Sequence, residues 1–121
     1  MVDVSFGWRL DTDVSPDWLF FQLVKSQADS DPTPPLAERV WSMAEQHGIG
    51  RLVFELDAGI LLSSYLVGQL ILLRKRAHVQ GGTLRLCGLS ETNREVLHIM
   101  TLDRHFPNYR TREDAVMGRL P

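Results

Sequence analysis

Cysteine is almost missing from this sequence: Cys87 is the only one among 121 residues. A lone thiol excludes an internal disulfide and a cysteine zinc cage. Neither sign of charge dominates, with 13 Lys+Arg against 15 Asp+Glu and a formal net charge of -2. A dedicated nucleic-acid binder would show a basic field, so that class is set aside. Long apolar runs are lacking as well. Ile60 to Leu73 spans 14 residues and is interrupted by Ser63, Ser64, Gly68 and Gln69, whereas a bilayer span needs about 20 apolar residues. It reads as the buried helix of a soluble domain, with no membrane partner. The opening Met1-Val2-Asp3-Val4 has no basic segment leading into an apolar one, so no secretory signal is expected and the chain is placed in the cytoplasm.

Catalytic signatures are missing too. There is no G-x-x-x-x-G-K-[ST] and no G-x-G-x-x-G, the two standard phosphate-cradling loops. Ser63 and Ser64 lack the flanking glycines of a nucleophile elbow. His47, His78, His98 and His105 have no metal-ligand spacing and read as surface or half-buried histidines. Cys87 sits in an apolar run and reads as a small core residue. No enzyme, cofactor or metal is expected.

What is present is a fold pattern. With 44% hydrophobic and 23% charged residues, the chain can bury one real core, and its length fits a single domain over residues 1–121. Val2, Val4, Phe6, Trp8 and Leu10 alternate with polar residues, the period of a half-buried strand. Asp11 to Asp17 supplies turn chemistry, and Trp18 to Val24 reads as a second strand paired with the first. That strand is apolar on both faces, Trp18 and Phe20 opposing Leu19 and Phe21. Lys25 to Pro35 is polar and proline-rich, the expected flexible loop.

A helix is predicted from Leu36 through His47, with Gly48 at its C-cap. Leu52 to Leu56 follows as a central strand, and a second helix is favoured from Leu66 to the basic Arg74-Lys75-Arg76. Gly81-Gly82 ends it before a strand at Thr83 to Cys87. Ser90 can cap a third helix with Val96, Leu97 and Met100 inward, Phe106 to Tyr109 reads as a last strand, and Thr111 opens a terminal helix. The fold class is α/β: a mixed sheet, parallel in its core, with helices packed mainly on one face.

From Leu52 to Gly82 the pattern becomes specific. A strand with an acidic residue, a serine pair opening an apolar helix, basic residues and then Gly81-Gly82 before a strand resemble the STAS domain of bacterial anti-sigma factor antagonists. Gly88-Leu89-Ser90 before Val96-Leu97 resembles that family's entry to the third helix, and Leu102 to Phe106 its approach to the last strand. The resemblance implies a non-enzymatic binding module. It would bind an anti-sigma factor or related serine kinase and be switched by phosphorylation of a serine at the start of the second helix. Counting back from Gly81-Gly82 puts Ser64 at the acceptor place and Ser63 where an aspartate usually stands, while a one-residue slip would put Ser63 there. The implied partner surface is Ser63, Ser64, Tyr65 and Gly68. The sequence departs from the family's pattern at Ser63, which is not acidic, and at Leu66, which replaces a glycine. The alternative implied function is a constitutive, unphosphorylated STAS scaffold in a larger signalling assembly. The two-sided second strand also asks for cover, either from the loop Lys25 to Pro35 or from a second copy in a homodimer.

Overall fold

The computed structural model of the chain describes residues 2–5, 8–25, 35–57 and 59–119. Among the described residues, six strands form one sheet in chain order: β1 (Val2–Ser5), β2 (Trp8–Val14), β3 (Leu19–Lys25), β4 (Arg51–Leu56), β5 (Thr83–Cys87) and β6 (Asn108–Tyr109). The β1/β2 and β2/β3 pairs are antiparallel, and β3/β4, β4/β5 and β5/β6 are parallel. Four helices among the described residues pack with the sheet: α1 (Leu36–His47), α2 (Ser64–Val79), α3 (Glu91–Ile99) and α4 (Arg112–Met117).

The opening alternation is not one strand. Ser5 pairs with Trp8 and Val2 with Leu10, so the chain reverses between β1 and β2. Ser5 and Trp8 differ in parity, but the register shift between Asp3 and Ser5 restores it and sets even-numbered Val2 opposite even-numbered Leu10, so a period-two pattern runs through the reversal. The turn expected at Asp11 to Asp17 is also shorter, because β2 continues to Val14. Its acids lie on the solvent side of the strand. Asp11 pairs with Arg9 at 3.0 Å, and Asp13 with Arg112 from the far end of the chain. Of the loop expected at Lys25 to Pro35, residues 26–34 lie outside the described residues.

The main core lies between the sheet and α1–α3. Leu10, Leu19, Phe21, Leu23, Leu52, Phe54 and Leu86 of the strands meet Leu36, Val40, Leu66, Leu70, Leu73, Ala77 and Leu97 of the helices. Gly48 ends α1 at φ 66°, as expected of a C-cap glycine. Gly82 has a different reason to be glycine: a Cβ there would run into the carbonyl of Gly50, where β4 and β5 begin side by side. Met100, expected inward, is exposed at the end of α3.

On the second face of the sheet, α4 packs over β4, β5 and β6. Trp18, Val53, Cys87, Tyr109 and Ala115 are buried together, with Phe20 and Val116 packed against them. Strand β3 is thus two-sided as expected, but the cover over Trp18 and Phe20 belongs to the chain's own last helix. That removes the uncovered strand as a reason for a homodimer.

Candidate functional site

A parallel strand delivers the chain to the carboxyl edge of the sheet, where open α/β folds place their binding surfaces. β4 does so here. Past Leu56, the Asp57 amide donates to the Leu23 carbonyl at 3.0 Å, and the chain then runs through Ile60-Leu61-Leu62 into α2. Ile60 and Leu62 are buried, while Leu61 between them is 66% exposed.

This short approach is held from α3 by Asn93, a side chain the sequence reading did not single out. Asn93 is 1% exposed, the only buried polar residue among those described. Its Oδ1 accepts from the Leu62 amide and its Nδ2 donates to the Ile60 carbonyl, both at 2.8 Å. One amide group therefore satisfies a donor and an acceptor of a non-repetitive segment, which would otherwise be buried unpaired. The available signal was spacing, since Asn93 lies four residues before Leu97 and so on the inward face of α3.

The serine pair divides into two roles. Ser63 is the N-cap: its backbone is extended, at φ -81° and ψ 165°, and its Oγ accepts from the Leu66 amide at 3.1 Å. Its carbonyl accepts from the Val67 amide at 2.9 Å. Ser64 is the first helical residue, exposed, with no hydrogen bond from its hydroxyl among the described residues. The helix therefore starts two residues earlier than expected, and the cap is Ser63. Tyr65 is half exposed beside them, and a Cβ on Gly68 would meet nothing within 4 Å. Leu66, in place of the family's glycine, points into the core. Ser63, Ser64, Tyr65 and Gly68 thus share one accessible helix start, extended by Leu61.

On the α1 side, Gln69 of α2 accepts from the Ala37 amide at 3.0 Å, replacing the side-chain cap that Pro35 cannot give to α1. On the opposite face of the sheet, burial pushes the Cys87 thiol up from 9.0 to about 12, helped by the neighbouring Glu55 carboxylate and opposed by Arg112. Such a thiol stays protonated at neutral pH and is a poor nucleophile. Among the described residues no cluster of His, Cys, Asp or Glu could hold a metal ion, and no helix is long and apolar enough to cross a membrane.

The STAS domain model matches residues 12–115, and the chain belongs to that family. An anti-sigma factor antagonist from Mycobacterium paratuberculosis has a similar structure, with a TM-score of 0.73 at 19% identity over 92% of this chain and 92% of that one. The protein TM1081 from Thermotoga maritima gives 0.71 at 17% identity, covering 88% of this chain and 84% of that one. An anti-sigma-factor antagonist (STAS) domain protein from Planctomyces limnophilus gives 0.61 at 18% identity over 91% and 97%. At these identities the likeness is one of fold. No curated protein matches the sequence.

Proposed function

We propose that this STAS domain is a regulatory binding module, anti-sigma factor antagonist-like, that docks a signalling protein of the anti-sigma factor or serine-kinase type on the start of α2, with Ser64 as the phosphorylation switch. The observation that carries the reading is the division between the two serines. Ser63 has its hydroxyl committed to the Leu66 amide, while Ser64 presents an exposed, uncommitted hydroxyl one residue later.

The energetics of such a switch fall on the partner. A phosphoryl group adds about -1.5 to -2 charges. A helix N-terminus favours an anion by about 0.3–1 kcal/mol, and the first turn of α2 holds no acidic residue to oppose one. The modified domain stays folded. A partner covering Ser64 would have to desolvate that charge or face it with its own, which can cost several kcal/mol.

A second reading, permanent docking without modification, is favoured by the composition of the surface. Ser63 stands where the family has a carboxylate, and the exposed Leu61 and Tyr65 supply apolar contact whatever the state of Ser64. Phosphosite mapping of the chain isolated from its own cells separates the two, because only the switch needs modified Ser64. In binding assays with a partner recovered from those cells, the switch predicts that Ser64→Asp binds at least ~10-fold more weakly than wild type while Ser64→Ala binds equally. Equal binding by all three, with no phosphate on Ser64, leaves the constitutive scaffold.

A further inference from the structure

We propose that the groove between α2 and the turn joining α3 to β6 is a second docking element, which takes an acidic segment of a partner protein through one apolar anchor side chain. The inference deepens the reading above by naming the chemistry of the partner, and it rests on that reading only for the existence of a partner.

The groove is a cavity of about 210 Å³ lined by Ile71, Arg74 and Lys75 of α2 and by Leu102, His105 and Phe106 of the turn. Its floor is apolar: Phe106 is buried in the core, and Ile71 and Leu102 pack against it half-buried. Its rim is cationic. Arg74 and Lys75 make no ion pair among the described residues, and Arg104 stands exposed beside His105. Nothing on α2 offsets that charge, because Ser64–Val79 contains no Asp or Glu. The turn's own carboxylate, Asp103, is engaged by the His98 ring nitrogen at 2.9 Å, on the side of the turn that faces α3. A protein with a net charge of -2 thus carries a local basic rim around an apolar floor.

That combination selects the occupant. Carboxylates suit the rim, and the cavity is of side-chain size, so one aliphatic or aromatic residue can fill it. A polyphosphate chain has nothing to place on the floor. The groove is also continuous with the helix start. Ser64, Gly68, Ile71 and Lys75 recur at helical spacing along one flank of α2, and at 1.5 Å per residue Lys75 lies roughly 16 Å beyond Ser64. Gly68 leaves the backbone between them bare. An extended segment of about five residues spans that distance, so one partner can engage both places.

The test is selection from a display library of randomised heptapeptides on the full chain, followed by amide-shift mapping with the best synthetic peptide. Enrichment of peptides with Asp or Glu on both sides of a single Leu, Ile, Met or Phe is expected, together with shifts at Ile71, Lys75, Leu102 and His105. Replacing both cations, Arg74→Gln with Lys75→Gln, is expected to weaken that peptide roughly tenfold. Peptide enrichment and the shifts are read at the groove, and phosphosite mapping is read at Ser64, so failure of the groove and failure of the switch are separate results. The proposal is overturned by no enrichment, by enriched peptides without acids or without the apolar residue, or by shifts elsewhere. Octanoate moving these resonances when no peptide is enriched would assign the groove to a small amphiphile, and also overturns it.

Discussion

A hydroxyl that caps a helix and a hydroxyl that awaits a partner are chemically the same, and only the backbone distinguishes them. Here the extended Ser63 caps α2 and the helical Ser64 does not. Removing the cap with Ser63→Ala should cost about 0.5–2 kcal/mol, whereas Ser64→Ala should stay within ~0.5 kcal/mol of wild type. Urea denaturation of the two variants checks the order, and an equal loss in both would contradict it. The serine pair was legible in the sequence; the division of labour was not, because it turns on one residue of helix boundary and both positions suit a cap. Asn93 was hidden for a different reason. Its two partners, the Ile60 carbonyl and the Leu62 amide, lie more than thirty residues away on a segment with no regular structure. Replacing it with leucine strands both groups at about 1–3 kcal/mol each. Asn93→Leu should therefore lose about 2–6 kcal/mol and speed amide exchange at Leu62 well before global unfolding.

At the scale of elements, those with local signals were read with close bounds. α1 with its C-cap glycine, β5 at Thr83 to Cys87, the Ser90 cap and the Thr111 cap are all set by residues within a few positions of each boundary. The β1/β2 reversal escaped because the register shift between Asp3 and Ser5 keeps the alternation running through it, and the length of β2 escaped because Asp13 finds its partner in Arg112. That arginine reaches Glu55 of β4 as well, through Nε at 2.6 Å, and Glu55 in turn lies against the Cys87 thiol. The sign of the resulting pH dependence follows directly. In the unfolded chain Cys87 loses its proton near 9.0, while in the fold it keeps it to about 12, chiefly because it is buried and next because of Glu55. Its contribution to stability is complete below pH ~9 and is lost as the pH rises towards 12. Wild type should lose up to about 1.4 kcal/mol per pH unit relative to Cys87→Ala across that window. Parallel denaturation curves for the two proteins from pH 8 upward measure the difference, and curves that do not diverge would mean the thiol ionises freely in the fold.

For the molecule as a whole, the question raised by an apolar, two-sided β3 is what covers its second face, and α4 is a slight structure to carry that task. Six residues cannot hold a helix by themselves. Two arginines and one small residue dock it. Arg112 bridges from its first turn to Asp13 and Glu55, and the acids Glu113 and Asp114 offset a cation at a helix start. Arg85 of β5 donates to the Ala115 carbonyl at 2.6 Å, where the last carbonyls of α4 lack helical partners, and stacks on Trp18 and Tyr109. Ala115, fully buried between these contacts, sets how close the helix can lie. A side chain much larger than a methyl has no room there, so Ala115→Glu should lift α4 from the sheet and uncover Trp18, Val53 and Tyr109 while leaving the core against α1–α3 in place. Tryptophan emission should shift to the red with little loss of helical circular dichroism. The wild type should sediment as a single species of 13.8 kDa, and the variant should self-associate through the bared strand, whose exposed apolar patch is what a second copy would cover. Arg85→Met, which keeps the hydrocarbon over Trp18 but loses the carbonyl contact, should fall between the two. A wild type that already sediments as a dimer, with Ala115→Glu unchanged, would show that α4 is not the cover and would return that role to a second copy.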